Sequence, residues 1–304
     1  MVDLTVLGDV NVDLLSCPIS FFPAKDSQVL LSSFTLTIGG GAANFAIQAS
    51  TLGLKVRLIG LVGRDLFGDF ILKKLKEEKV DCKVGRSEEE KTGLSVGIQF
   101  EDGSKSLLTF RGTNSIFSLK HFKLEEIKGK VFHLAGYNLM KELRPYTKKI
   151  FKYVKKKKML ITFDPDLKSG INFDVFEFKK LLKYVDILFL NEKEGEFLTK
   201  RKDKKEIAKD LLANGCKIVV VKCGAYGCVV SSFKEIYEIK GIKVIPKNPT
   251  GVGDIFNASF VFEFLKTKDL KKAGIFANAA GALAISREVE ERFVKEKEIR
   301  EFIL

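Results

Sequence analysis

Short apolar segments bounded by Gly, Asn or Asp recur along the chain, at residues 4–7, 56–60, 131–134, 159–163, 186–190 and 217–221. Segments with helical spacing lie between several of them, at 42–52, 67–79, 144–156, 194–198 and 204–214. Apolar strands that alternate with helices are typical of an α/β fold with a mostly parallel sheet covered on both faces. The last third is predicted to be helical, over 254–266, 270–286 and 295–302.

Two regions break this alternation. Residues 14–37 and 91–112 contain runs of period two, such as "LSVGIQF" and "SLLTFRG", with a turn predicted at 101–103. Such runs predict antiparallel strands. Because they interrupt the series early, we expect a small β-sheet that projects from the main sheet as a lid over the strand ends. An edge extension or a dimer surface is the alternative, and it is compatible with a lid.

The composition excludes several classes of protein. The chain has 304 residues, 45% of them hydrophobic, which is ample for a core. No apolar run approaches the roughly 18 residues of a membrane span. The start, "MVDLTVLGDVNVD", lacks a basic region before an apolar one, so we interpret it as a strand. Five scattered cysteines without a Cys-x-x-Cys pair disfavour zinc and indicate a cytoplasmic, reducing environment.

The net charge is +13. A basic chain attracts anions, and nucleic acid is one candidate partner. The lysines, however, are spread along helices beside glutamates, as in "ILKKLKEEK", and no basic and aromatic stripe is present. Solvated helix faces explain the charge better, so no nucleic-acid partner is expected.

Polar residues and glycines follow the predicted strands. "GDVNVD" brings Asp9, Asn11 and Asp13 after the first strand, and "DPD", "NEKEGE" and "KCGAYG" follow three later strands. In an open parallel sheet, ligands bind beyond the carboxyl ends of the strands. The repetition predicts a ligand site at this edge.

The stretch "NPTGVGDIFNASF", residues 248–260, places Gly251, Val252, Gly253 and Asp254 before an apolar helix. Helix N-termini expose N–H groups that favour anions, and glycines allow a close approach. An acid beside such a turn can accept a hydroxyl proton while the turn stabilises a transferred group. The structural alternative is that Asp254 only stabilises the helix dipole. No Gly-x-x-x-x-Gly-Lys-Ser/Thr loop occurs, so a P-loop enzyme is disfavoured.

Together these stretches resemble the ribokinase-like carbohydrate kinases, also called the PfkB family. The resemblance rests on "GGGAANFAIQASTLG" at 39–53, "NPTGVGDIFNASF", "NEKE", "VVVKCGAYGCVV" and "GDVNVD", in the expected order from about residue 2 to 287. It implies one kinase domain over 1–304, a three-layer α/β/α sandwich with a small β-sheet lid. It also implies phosphoryl transfer from ATP, with Mg²⁺, to a hydroxyl of a small sugar or sugar acid, expected to be a primary hydroxyl.

The resemblance assigns roles residue by residue. Asp254 resembles the catalytic base, and the N–H groups of Gly251, Val252 and Gly253 resemble the anion hole. Asn191 and Glu194 resemble the organisers of Mg²⁺ and its waters. The positions matching nucleotide contacts are Lys222, Gly224, Gly227 and Asn278, and those matching sugar contacts are Asn11, Asp13, Gly39, Gly40 and Asn44. Arg111 could reach the phosphates or an anionic substrate, or be a structural arginine.

The departures from the family pattern also matter. Gly41 and Ala42 stand where ribokinase has Lys and Gly, which disfavours ribose itself. Asn248 stands where the family often has an Asp that helps to hold a monovalent cation, which puts K⁺ activation in doubt. A nucleoside kinase of the same fold, or a nucleotide- or sugar-binding protein without turnover, remains an alternative. A homodimer through the lid also remains open.

Overall fold

The computed structural model describes residues 2–101, 104–167 and 173–304. Its strands are β1 (Leu4–Leu7), β2 (Asn11–Ser16), β3 (Phe34–Gly39), β4 (Val56–Gly63), β5 (Asp81–Ser87), β6 (Gly93–Gln99), β7 (Lys105–Phe110), β8 (Val131–Leu134), β9 (Leu160–Phe163), β10 (Ile187–Asn191), β11 (Ile218–Lys222), β12 (Gly227–Ser232) and β13 (Ile236–Lys240). Its α-helices are α1 (Gly41–Thr51), α2 (Leu66–Glu77), α3 (Thr113–Ile116), α4 (Thr147–Lys156), α5 (Val175–Lys179), α6 (Glu192–Thr199), α7 (Lys204–Ala213), α8 (Val252–Thr267), α9 (Leu270–Ile285) and α10 (Glu296–Ile303).

The large sheet has nine strands in the described chain, in the order β13-β12-β11-β10-β9-β8-β1-β4-β5. The pairs from β11 to β5 are parallel. The edge strands β12 and β13 run antiparallel to their neighbours. The predicted mostly parallel sheet is therefore confirmed, with an antiparallel hairpin added at one edge.

The apolar strands are buried on both faces because successive side chains point to opposite layers. In β10, Leu188 and Leu190 pack into one core cluster with residues of α4 and α7. Ile187 and Phe189 pack into the other, with residues of α1, α8 and α9. The fold is a three-layer α/β/α sandwich, as the sequence predicted. No described helix combines the length and apolar composition that crossing a bilayer requires.

The lid is a separate four-stranded sheet in the order β3-β2-β6-β7. The pairs β2/β3 and β6/β7 are antiparallel as predicted, and the two pairs are joined by a parallel pairing of β2 with β6. The reason is topological: β2 follows β1 and β6 follows β5, and both leave the same edge of the parallel sheet. The strands extend beyond the predicted 14–37 at both ends, since β2 begins at Asn11 and β3 ends at Gly39. Of the predicted turn, 102 and 103 lie outside the described residues.

The register gives the lid one apolar and one polar face. Residues opposite one another on paired strands share a face. One row across the four strands is Leu36, Leu14, Val96 and Leu108, and the adjacent row on the other face is Thr37, Asp13, Ser95 and Thr109. On the polar face Asp13 and Thr37 are buried, whereas on the apolar face Phe34, Leu108 and Phe110 are more than half exposed. The polar face is therefore turned towards the rest of the molecule.

Candidate active site

Asp254 lies in the first turn of α8, where that helix meets the start of α1. Asn44 Nδ2 of α1 donates a hydrogen bond of 3.1 Å to Asp254 Oδ2. Gly251, just before α8, adopts a left-handed conformation with φ of 75°. A Cβ at this position would lie 2.8 Å from Asn44 Nδ2, so glycine allows the two helix starts to meet. The structure thus joins Asp254, Asn44 and the predicted anion-binding turn.

The surroundings of Asp254 increase its affinity for a proton. Burial raises the pKa of Asp254 well above its usual value, and the nearby negative charge of Asp164 raises it further. Lys222 and the hydrogen bond from Asn44 act in the opposite direction. A carboxylate with a raised pKa binds a proton more readily, and this property suits a group that must accept one.

A buried ion pair lies beside Asp254. Lys222 Nζ donates to Asp164 Oδ2 at 2.8 Å, and Asn257 Nδ2 donates to the same oxygen at 2.6 Å. Burial disfavours the ammonium, but Asp164 and Glu194 outweigh burial and raise the pKa of Lys222. Lys222 therefore remains a cation, and its Nζ would lie 3.4 Å from a Cβ placed on Gly253. A fixed positive charge thus stands against the turn.

Sequence reasoning missed the roles of Asp164 and Asn257 in this pair. The available signals were the "DPD" that directly follows β9 and the spacing of three between Asp254 and Asn257. That spacing places two side chains on one face of a helix.

One cavity of about 650 Å³ contains seven of the predicted residues. They are Asn191, Lys222, Gly224, Gly227, Val252, Gly253 and Asn278, and apolar side chains of Ile242, Val244, Phe256 and Ile285 complete the wall. Asn278 Nδ2 donates to the backbone oxygens of Ile239 and Lys240, at 3.3 and 3.2 Å. Its amide therefore ties α9 to β13 at the cavity wall. The shape and polarity are those of a small-molecule pocket.

Asn191 and Glu194 form a reciprocal cap at the start of α6. Glu194 N–H donates to Asn191 Oδ1 at 3.0 Å, and Asn191 N–H donates to Glu194 Oε2 at 2.7 Å. Glu194 Oε1 also accepts from the Leu167 N–H. Burial, then the charge of Asp164, raises the pKa of Glu194 to about 7. Within the described ranges no three His, Cys, Asp or Glu side chains form a metal cluster, so a cation here would need other oxygen ligands.

The predicted sugar residues gather under the polar face of the lid. Asn11 Nδ2 donates to Asp13 Oδ1 at 2.8 Å, and the Asp13 carboxylate lies directly against Gly39. Gly40 precedes α1, whose first N–H groups, Gly41 and Ala42, donate to the buried Asp9 carboxylate. Asn44 in α1 then connects this group to Asp254. Asn11 and Asp13 share one side of an extended strand, as their spacing predicted.

Arg111 stands apart from these groups. It is half-buried just after β7, and burial lowers its pKa, with Asp166, Arg144 and Asp9 as charged neighbours. Within the part of the chain that the structure describes, it has no hydrogen bond to another candidate residue.

Known proteins resemble this chain in sequence and in fold. The chain is 28% identical to the 5-dehydro-2-deoxygluconokinase of Clostridium botulinum, over 99% of this chain and 92% of that protein. An Escherichia coli protein termed ribokinase II, solved with ATP and Mg²⁺, superposes with a TM-score of 0.86 at 24% identity, covering 100% of this chain and 99% of that one. Arabidopsis thaliana ribokinase, solved with ribose and ATP, gives 0.82 at 23% identity, with coverage of 100% and 99%.

Solved structures at this level of identity show the fold alone, and the family comes from a separate comparison. The model of the pfkB family carbohydrate kinases matches residues 1–291, nearly the whole chain. The chain is therefore a sugar kinase that belongs to the pfkB family.

Proposed function

We propose that this chain transfers the γ-phosphoryl group of ATP to a hydroxyl, primary in character, of a small sugar or sugar acid, with Asp254 as the base. The observation that carries this proposal is the position of Asp254. It is bonded to Asn44, on the side of the lid residues, and it follows Val252 and Gly253, which line the 650 Å³ cavity. A base between an acceptor site and a donor site is where phosphoryl transfer requires one.

In this mechanism the acceptor oxygen attacks the γ-phosphorus while its proton passes to Asp254. The bond between the phosphorus and the ADP oxygen breaks, and ADP leaves. The N–H groups of Gly251, Val252 and Gly253, with the positive end of α8, stabilise the charge on the transferred group. Lys222 adds a cation on the cavity side.

For ATP, the apolar wall of Ile242, Val244 and Ile285 suits an adenine ring, with Asn278 fixing that wall. The phosphates would extend past Gly224 and Gly227 towards Lys222. The E. coli ribokinase II complex with ATP and Mg²⁺ supports this choice of donor. When bound, Mg²⁺ would supply charge neutralisation for the phosphates. Asn191 and Glu194 would hold it through its waters, because one carboxylate and one amide suit an ion that keeps several waters.

For the acceptor, Asn11, Asp13, Gly39, Gly40 and Asn44 surround the space between lid and α1. Carboxylate and amide groups can hydrogen-bond adjacent hydroxyls. Arg111, whose charged neighbours are Asp166, Arg144 and Asp9, supplies a guanidinium that can pair with a negative group on the substrate. The name of the C. botulinum relative, a gluconokinase, supports a sugar acid.

We also propose that the enzyme works without a monovalent cation. The Asn248 side chain is buried and accepts a hydrogen bond of 2.8 Å from the Thr250 N–H. It therefore stabilises the turn before α8 without adding negative charge to attract a cation.

A nucleoside kinase of this fold, or a binding protein without turnover, makes different predictions. ADP release from MgATP should be measured with a panel of sugars, sugar acids and nucleosides. Turnover confined to sugars or sugar acids supports the proposal. Turnover confined to nucleosides would replace the substrate class, and binding of ATP without any turnover would overturn the kinase proposal for this chain.

A second copy of this chain is the partner that we propose for the apolar face of the lid. The face is contiguous across four strands, from Leu36 through Leu14 and Val96 to Leu108. Large exposed apolar patches mark interaction surfaces. A two-fold axis would place this face against an identical one, and two-fold symmetry is the commonest arrangement of homo-oligomers.

Asp254→Asn should lower kcat by about 10² to 10⁴-fold, because a general base contributes that much. The amide has nearly the same shape, so the melting temperature and the Kd for MgATP should stay close to wild type. Because the pKa of Asp254 is raised, wild-type kcat/KM should fall with decreasing pH above the range of an ordinary aspartate. Wild-type kcat in Asp254→Asn would remove Asp254 from the chemistry.

Glu194→Gln should raise the Mg²⁺ concentration for half-maximal rate by about 10 to 100-fold, as is typical when a group supporting a metal is changed. The matched control is Glu192→Gln in the same helix, since Glu192 pairs instead with Lys204. The control should leave the Mg²⁺ titration unchanged. If wild type and both variants need the same Mg²⁺ concentration for half-maximal rate, the metal binds elsewhere.

Asp13→Ala should weaken binding of the best sugar of the panel about 10 to 200-fold, since a hydrogen bond to a charged group contributes roughly 1.5 to 3 kcal/mol. MgATP affinity should change little, and calorimetric titration measures both. Asp65→Ala is the control, because Asp65 accepts from Gly68 and Thr92 at the base of the lid. Asp65→Ala should lower the melting temperature, but it should not weaken sugar binding more than MgATP binding. An equal loss of both affinities in Asp13→Ala would mean that Asp13 only supports the fold.

Leu108→Lys should convert a dimer of the 34.0 kDa chain into a monomer, because it would bury a charge within the proposed apolar interface. Leu107→Lys is the control: Leu107 is similarly exposed, at 51% against 58%, but points to the other face. Light scattering after size exclusion should give a dimer for wild type and for Leu107→Lys. A monomeric wild type, or a dimeric Leu108→Lys, would contradict the proposed interface.

A further inference from the structure

Arg292 is buried to an extent unusual for an arginine. Only 1% of its surface is exposed. Among the described residues, it is the largest of the fully buried side chains. Burying a guanidinium is strongly unfavourable unless its charge and N–H groups are compensated. The segment that carries it, "REVEERFVKEKE", is rich in charge and looks like solvated surface. This burial therefore requires a physical reason.

The guanidinium connects three parts of the molecule. Nη1 donates to Thr37 Oγ1 at 3.0 Å and to the Val289 backbone oxygen at 2.5 Å. Nη2 donates to the Ile38 backbone oxygen at 2.7 Å and to Asn44 Oδ1 at 2.9 Å. Arg292 thus connects lid strand β3, helix α1 and the turn at Val289 that precedes Arg292 itself.

The bond to Asn44 fixes the direction of that amide. A guanidinium only donates hydrogen bonds, so the Asn44 atom that faces it must be the oxygen. The Asn44 nitrogen must then face the other way, and there it donates to Asp254 Oδ2. If the amide turned over, an oxygen would face the Asp254 carboxylate and the two would repel. Arg292 therefore determines which atom of Asn44 meets Asp254.

The remaining nitrogen lies against the turn that precedes α8. Among the described residues, Arg292 Nε is buried and has no hydrogen-bond partner. It would lie 3.3 Å from a Cβ placed on Gly251. Burial lowers the pKa of Arg292 to about 10, with Asp13, Asp254, Glu290 and Glu78 acting against it. The side chain remains a cation at neutral pH, next to the turn.

We propose that Arg292 is the positioning residue of the catalytic centre, holding the Asn44 amide so that it donates to Asp254 and adding a fixed positive charge beneath the 251–253 turn. The proposal rests on the proposed role of Asp254 as the base. Arg292 acts through Asn44 and makes no contact with substrate.

The sign of its effect follows from the charges around Asp254. Asp9 and Asp164 raise the pKa of Asp254, whereas Lys222 and the Asn44 hydrogen bond lower it. Arg292 also acts to lower the pKa of Asp254, because it is positively charged and because it orients the Asn44 amide. Removing it should raise the pKa of Asp254 further, so that the acid limb of kcat/KM moves to higher pH.

The test compares Arg292→Met, Arg292→Lys and the control Arg287→Met. Arg287 is a partly buried arginine of the same segment whose Nη2 pairs with Glu298 at 2.8 Å. Carboxyl ¹³C NMR of Asp-labelled protein, with the Asp254 signal identified by its loss in Asp254→Asn, gives the pKa without any substrate. The kcat and KM for MgATP are measured with the best sugar of the panel.

We expect Arg292→Met to raise the Asp254 pKa by about one unit or more, since a nearby opposite charge shifts a carboxyl by that much. Its kcat should fall by about 100-fold, the typical effect of misplacing a catalytic group by 1 Å, with an almost unchanged KM for MgATP. Arg292→Lys should keep the pKa near that of wild type but lower kcat about tenfold, because one ammonium cannot hold the amide and β3 together. Arg287→Met should change neither quantity.

Introducing Arg292→Met into an Asn44→Ala variant separates a positioning role of Arg292 from a role in stabilising the fold alone. If Arg292 acts through Asn44, Arg292→Met should lower kcat much less in that background than in wild type. A purely structural Arg292 would lower the melting temperature and leave the Asp254 pKa and the kcat of the folded protein unchanged, and that result would overturn the proposal. If Arg292→Met does not fold, Arg292→Lys decides, and wild-type kcat there would overturn it. A wild type that phosphorylates nothing would defeat the proposed function alone, because the NMR pKa tests the link from Arg292 to Asp254 independently.

Discussion

The hydrogen bond between Asn44 and Asp254 is the contact on which the rest of the site depends. It forms because α1 and α8 both begin at the carboxyl edge of the parallel sheet, so two helix N-termini point at one place. Each start has its own carboxylate: Asp9 accepts from the first N–H groups of α1, and Asp254 lies in the first turn of α8. Two positive helix ends would otherwise repel, and these carboxylates compensate them.

In the proposed mechanism this junction separates the two sides of the site. On one side lies the cavity, lined by glycines, Lys222 and apolar side chains, and we propose that it offers a fixed cation and N–H groups to phosphates. On the other side the polar face of the lid offers Asn11 and Asp13. The lid keeps its other face apolar and exposed, so the same alternation of side chains serves two surfaces. The Lys222–Asp164 pair anchors the first side and Arg292 anchors the second.

Local patterns predicted much of this arrangement, and long-range contacts account for the remainder. Strands β1 and β8 begin and end where the apolar runs do, because buried parallel strands are continuous apolar segments. The parallel pairing of β2 with β6 joins distant segments of the chain, and no local pattern encodes such pairing. For the site, motif resemblance brought together the cavity residues, but Arg292 was indistinguishable from solvated arginines. Its burial is decided by Thr37, Ile38 and Asn44, which lie about 250 positions away.

The central claim is that Asp254 receives the proton of the acceptor hydroxyl at the junction of the two sides. A crystal structure of the chain with MgADP, a fluoroaluminate in place of the transferred phosphoryl group, and the best sugar of the panel tests it most directly. The account predicts one sugar hydroxyl about 2.6 to 3.2 Å from an Asp254 carboxylate oxygen, the reach of a general base. It also predicts that the fluoroaluminate contacts the N–H groups of the 251–253 turn. A sugar whose reacting hydroxyl lies against another residue, with Asp254 bonded only to Asn44, would contradict it.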